Sequence, residues 1–141
     1  MKLKALILTL LLGIGLLISC SKDDTNILPQ EEFLNGTWNL KNLSGGFAGL
    51  NENYSGGTIT WTFNSQNQTI IIDNNEPASK SFIFDSGTYN YSIIEINNQK
   101  YLNIENDEYG GLIISTNSLT IDQNEISWGV GADGFVLYFE K

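Results

Sequence analysis

The sequence predicts an all-β fold: an antiparallel up-and-down meander closed into a barrel of about eight strands. Three observations carry that prediction. From Leu34 onward apolar and polar residues alternate with period two, and no stretch shows helical periodicity. The alternating segments are rich in threonine, isoleucine, tyrosine and phenylalanine, which suit half-buried pleated surfaces, while Asn, Asp and Gly fill the joints. With one exception the joints are short, so successive strands pair as hairpins without crossover helices. Closure removes the exposed edges of such a meander; a two-sheet β-sandwich is the alternative.

The first segment is not part of that fold. Lys2 and Lys4 precede Ala5 to Ile18, an uncharged and almost wholly apolar run. It is shorter than the ~20 residues a membrane-spanning helix needs. Positive charge, an apolar run and a small residue before a cleavage point make an export signal. Leu17-Ile18-Ser19-Cys20 resembles the lipobox of bacterial lipoproteins. That resemblance implies that Cys20 is lipidated and becomes the first mature residue, anchoring the chain to a membrane. An ordinary secreted protein with a stray cysteine is the alternative. Residues 1–19 are thus read as signal peptide, 20–33 as lipidated cysteine and flexible tether, and 34–141 as the barrel domain. The tether is polar, contains Pro29 and has too little apolar content to bury. Its start, Ser21-Lys22-Asp23-Asp24, resembles the lysine-plus-acids signal that sends some lipoproteins to the outer face of the outer membrane. An inward-facing outer-membrane lipoprotein is the other reading.

The strands follow in order. Trp38, Leu40 and Asn42 share one face of the first strand, and Thr37, Asn39 and Lys41 the other. Ile59, Trp61 and Phe63 alternate with threonines in the clearest strand, and Ile70 to Ile72 follow a turn at Asn64-Ser65-Gln66-Asn67. Phe82-Ile83-Phe84 reads as a short strand. Tyr89, Tyr91 and Ile93 alternate next. The phase then shifts to Ile94 and Ile96, as at a bulge. Asn97-Asn98 turns the chain into Tyr101 to Ile104. Leu112 to Ile114, Leu119 to Ile121, Ile126 with Trp128, and Phe135, Leu137 and Phe139 complete the set.

Leu34-Asn35-Gly36-Thr37-Trp38-Asn39-Leu40 resembles the Gly-x-Trp opening of lipocalins and lipocalin-like bacterial lipoproteins, and the ending Asp133-Gly134 to Phe139-Glu140-Lys141 resembles their closing strand. The resemblance implies an eight-stranded barrel with Gly36 and Trp38 at its closed base. The basic residue packed across the tryptophan would be Lys141. It also implies a large loop over the open mouth, at the position of the exceptional joint from Ser44 to Gly57.

That joint interleaves five glycines with Phe47, Leu50 and Tyr54. Either it is a lid whose apolar side chains touch a ligand or partner, or it folds back as a plug. The barrel interior is the second candidate, with Trp38, Leu40, Ile59, Trp61, Phe63, Tyr89, Tyr91 and Ile93 expected inward. Such a barrel either fills with its own side chains or holds one small ligand. Trp61, Tyr89 and Tyr91 join the three loop residues as candidate ligand contacts.

Other chemistry has little support. The chain has no histidine, so Ser-His and Cys-His nucleophiles and histidine metal sites are excluded, and no enzyme is expected. No cofactor or metal site is expected either. Asp73-Asn74-Asn75-Glu76 and Glu105-Asn106-Asp107-Glu108 lack calcium-loop spacing and read as solvated turns. The chain carries a net charge of −9; without the signal, five lysines and no arginine face all 16 carboxylates, a net of −11. That opposes binding to nucleic acid. Three functions remain: a small, largely apolar ligand held in the barrel or at its mouth, a protein-interaction module such as a protease inhibitor, or a structural surface role.

Overall fold

The computed structural model describes residues 33–76 and 83–141. Cys20, the export signal and nearly all of the tether lie outside the described residues. The strands are β1 (Gly36–Gly45), β2 (Leu50–Asn53), β3 (Ile59–Asn64), β4 (Thr69–Asn74), β5 (Gly87–Ile96) and β6 (Gln99–Ile104). They continue with β7 (Asp107–Ile114), β8 (Ser118–Asp122), β9 (Glu125–Ile126), β10 (Gly129–Val130) and β11 (Phe135–Glu140).

Eight of them, β1, β3 to β8 and β11, pair antiparallel in chain order. The ladder from Asn39↔Glu140 to Gly45↔Phe135 then joins β11 back to β1. That ladder closes the barrel and excludes the sandwich. The architecture is compatible with the lipocalin-like barrel expected from Gly36 and Trp38. Alternation does the rest. In β3, Ile59, Trp61 and Phe63 are buried while Thr60 and Thr62 reach the outer surface. The core is wholly apolar: Trp38, Leu40, Phe63, Ile70, Leu102, Ile121, Leu137 and Phe139 are among its members, and no polar or charged residue is buried among the described residues.

Four details depart from the alternation read in the sequence. A β-bulge between Leu40 and Asn42 shifts the phase of β1, so Leu43 is buried in place of Asn42. The Asn42 amide instead donates to Asn51 Oδ1 at 2.8 Å, Asn53 Oδ1 at 3.0 Å and the Glu52 carbonyl at 3.2 Å. No bulge interrupts β5: its register with β6 runs unbroken from Tyr91↔Ile104 to Ile96↔Gln99, and Ile94 and Ile96 simply face outward. Ile83 and Phe84 are not a strand; they belong to the β4–β5 link and turn inward, with Ile83 buried. Phe82 lies outside the described residues.

The long joint is the fourth. β2 pairs with the far half of β1, from Asn42↔Asn53 to Gly45↔Leu50, on the edge that β3 occupies lower down, from Gly36↔Phe63 to Asn39↔Thr60. β2 and β3 are therefore one stave broken by an excursion near residues 55–58. The Tyr54 N–H donates to the Lys41 carbonyl at 2.9 Å and the Gly57 N–H to Asn39 Oδ1 at 2.9 Å, fixing both sides of the break.

Alternating strand directions sort the connections into two ends. The base carries the links at 65–68, 97–98 and 115–117, the start of β1 and Lys141. The opposite end carries the β1–β2 turn, the β2–β3 excursion, the described residues 75–76 and 83–86 between β4 and β5, and the links at 105–106 and 123–134. This is the link end. Asn97 and Asn98 at φ of 53° and 64° make a tight hairpin turn at the base, and Glu105 and Asn106 at 53° and 74° make one at the link end. Beside that turn the Glu105 carboxylate accepts the Asn90 N–H at 2.6 Å.

Candidate functional site

The base is a closed structural site. Trp38 is fully buried and its indole N–H donates to the Leu34 carbonyl at 2.7 Å. The Lys141 ammonium lies 4.7 Å from the centre of the Trp38 ring and donates to the Phe33 carbonyl at 3.1 Å. A cation over an indole face is favoured by the ring quadrupole, and the added hydrogen bond holds the final residue in place. Gly36 adopts a φ of 110° at the start of β1. The three residues read as the barrel base thus meet at one end.

Trp61 opens a different environment. It pairs in register with Trp38 and is equally buried, but its neighbours belong to the barrel interior and the link end. Its ring centre lies 5.1 Å from Phe139, 5.7 Å from Tyr109, 6.2 Å from Phe63 and 6.3 Å from Phe84. Phe84 in turn packs 4.9 Å from Tyr89 and 5.2 Å from Tyr109. These tilted and edge-on geometries are the preferred ones for aromatic pairs. Phe84 comes from the β4–β5 link, so that link, rather than the Ser44–Gly57 joint, supplies the aromatic ring that fills this nest.

The polar atoms of the nest are settled, with one exception. Tyr89 donates to the Asp85 carbonyl at 2.9 Å. Burial pushes the Tyr109 hydroxyl well above the ordinary 10.0, opposed in part by a hydrogen bond from the Gln123 side chain. The Gln123 carbonyl oxygen accepts the Phe135 N–H at 3.1 Å, which orients that amide. Trp61 Nε1 is buried and has no hydrogen-bond partner among the described residues. An indole N–H can only donate, and leaving it unmade costs about 1–3 kcal/mol. The arrangement is an aromatic surround with one donor that has no partner among the described residues.

The other candidate residues are dispersed. Tyr91 packs edge-on against Phe63 at 5.3 Å, outside the Trp61 nest. Tyr54 is buried at the β2–β3 break and donates to Glu52 Oε2 at 2.9 Å; burial and the Glu76 carboxylate raise its pKa. Leu50 is half-buried against the core, whereas Phe47, at the tip of the β1–β2 hairpin, is 93% exposed. The three apolar residues of the joint thus divide between packing and display. Cys20 lies outside the described residues. Among those described, no group of three acidic, histidine or cysteine side chains could hold a metal ion.

Phe63, Phe84, Tyr109, Gln123 and Phe139 are the members of the nest beyond the candidate ligand contacts Trp61 and Tyr89. The signal for Tyr109 was the pair Gly110-Gly111 beside it. A Cβ on Gly110 would lie 2.5 Å from the Asp122 carbonyl oxygen, and the residue adopts a φ of 151°, so only glycine lets β7 pass the end of β8 there.

Compared with known proteins, the chain matches no family model, no curated protein and no solved structure.

Proposed function

We propose that this protein is a membrane-anchored, lipocalin-like lipoprotein that binds a small, largely apolar ligand carrying one hydrogen-bond acceptor, with the Trp61 indole as donor. The observation that carries the reading is the buried Trp61 N–H, without a partner among the described residues and ringed by Phe63, Phe84, Tyr109 and Phe139. Native structures keep few such donors unsatisfied, and an acceptor on a bound molecule would satisfy this one. Phe84 is only half-buried and sits on a link, so it is the side chain a ligand would displace. The apolar surround supplies affinity and the single donor supplies orientation.

The anchor reading rests on Leu17-Ile18-Ser19-Cys20, and exterior display at the outer membrane on Ser21-Lys22-Asp23-Asp24.

Two measurements test the ligand reading. Protein purified from its own cells should show extra mass in native mass spectrometry that organic extraction removes. Titration of the extracted protein with a medium-chain methyl ester and an alkane of equal length should favour the ester by roughly two- to tenfold, the worth of one hydrogen bond. Trp61→Phe should erase that preference. Absence of co-purifying mass together with equal or undetectable binding of both probes would remove the reading.

A further inference from the structure

The large apolar side chains the barrel leaves most exposed are all at the link end. Phe47 is 93% exposed, Val130 87% and Trp128 81%; every other exposed large apolar residue described is at 61% or below. Scattered exposed apolar groups are ordinary, but a tryptophan and a phenylalanine held outward on one end of a small domain are not. Both tips are ordered by hydrogen bonds. The Gly49 N–H closes the hairpin turn on the Gly46 carbonyl at 3.0 Å. The β9–β10 ribbon that carries Trp128 is fixed by Ser127, whose hydroxyl donates to Glu108 at 2.6 Å, and by the Gly131 N–H on the Asn124 carbonyl. The Gly46 N–H also donates to the Gly134 carbonyl at 3.0 Å, tying the hairpin to the link that bears the ribbon. A Cβ on Gly45 would lie 2.5 Å from that same carbonyl oxygen, so the close approach needs glycine.

Acidic side chains are concentrated at the same end, where Lys41, beside Gly56, is the one described lysine away from the base. Asp73, Asp85, Glu105, Asp107, Glu125 and Asp133 are exposed on strand ends and links of the link end. Of the acidic residues described, only Glu95 and Glu140 sit toward the base, where Lys100 pairs with Glu95 at 3.3 Å and Lys141 covers Trp38.

We infer that the link end is a docking face for a protein with a basic surface, Phe47 and Trp128 being its apolar anchors. Aromatic residues presented on an ordered backbone are among the side chains that carry most binding energy in protein interfaces. The carboxylates around them steer a cationic surface and repel an anionic one. A second copy of this chain would set two acidic faces against each other, and an anionic membrane would meet the same repulsion. This inference stands on surface residues and is independent of the small-ligand reading.

A randomised peptide display library selected against the immobilised 34–141 domain within the full mature chain provides the probe. Selected peptides should be enriched in lysine and arginine beside apolar residues. Their binding should weaken by tenfold or more in the Phe47→Ser/Trp128→Ser variant, the scale of two interface anchors. It should also weaken in Asp85→Asn/Asp107→Asn/Asp133→Asn and on raising ionic strength from about 0.05 to about 0.5 M. Both variants change exposed side chains, and their melting curves verify folding. Peptides without basic character, equal binding to the Phe47→Ser/Trp128→Ser variant, no enrichment, or concentration-dependent self-association of the wild type at low salt would each overturn the proposal.

Discussion

Trp38 and Trp61 face each other across the β1–β3 ladder, both fully buried, yet they belong to different regions of the molecule. Trp38 reaches the base, where its N–H meets the Leu34 carbonyl and its ring is covered by Lys141. Trp61 reaches the interior beneath the link end, where aromatic rings surround it and its N–H meets nothing among the described residues. The same residue type, one strand apart, is a finished structural element in one region and an unfinished one in the other. The difference lies in what the chain supplies beyond the strands. The base receives a backbone carbonyl and a cation from the two ends of the domain, while the link end supplies rings and carboxylates.

The comparison predicts its largest effect at the base. Trp38→Ala removes a buried indole, uncovers Lys141 and leaves the Leu34 carbonyl without its donor. Truncations of this kind cost about 3–5 kcal/mol, a large part of the stability of a domain. The urea midpoint should fall accordingly. An unchanged midpoint would mean that the base does not hold the barrel together.

A matched pair of substitutions sharpens the contrast. Trp38→Phe and Trp61→Phe lose similar apolar area. The first also breaks a 2.7 Å hydrogen bond, whereas the second deletes a donor that has no acceptor among the described residues. Trp61→Phe should therefore be the less destabilising by about 1–3 kcal/mol, the cost of stranding one buried polar group. Equal losses in denaturant titrations would show that the Trp61 N–H is satisfied in the free protein.

How much of this was legible beforehand follows from the kind of signal each feature leaves. Ile59, Trp61 and Phe63 among threonines announce a strand because the pleat has period two, and Gly36, Trp38 and Lys141 could be placed together from a family resemblance. β2 could not be seen: Leu50-Asn51-Glu52-Asn53 has no apolar alternation, and its pairing follows from the hairpin register with β1. The phase slip at Leu40–Asn42 and the outward Ile94 and Ile96 were equally hidden. A bulge is a ladder property, and an apolar residue carries no mark of which face it takes. Phe84 enters the Trp61 nest from a link, through contacts distant in sequence. The aromatic nest was therefore legible in Trp61, Phe63, Tyr89 and Phe139, which alternate along strands, and hidden in Phe84 and in Tyr109, which lies at a register shift of β7.

The smallest effects come from two exposed side chains, one at each end. Lys141→Met removes the ammonium over Trp38 and its hydrogen bond to the Phe33 carbonyl, while keeping a flexible apolar chain that can still lie on the ring. A cation–aromatic contact at an exposed site contributes about 0.5–1 kcal/mol, so a small loss is expected. Phe47→Ser, at the opposite end, removes a larger side chain that is 93% exposed and touches little of the core. Surface substitutions of that kind stay within about 0.5 kcal/mol. Thermal melts of the two variants should therefore rank against side-chain size, with the lysine mattering more than the phenylalanine. If Phe47→Ser proves the more damaging, its ring packs on the domain in solution and cannot serve as an outward anchor. If Lys141→Met has no effect, the final residue does not hold the tryptophan, and the base is closed by Leu34 and Trp38 alone.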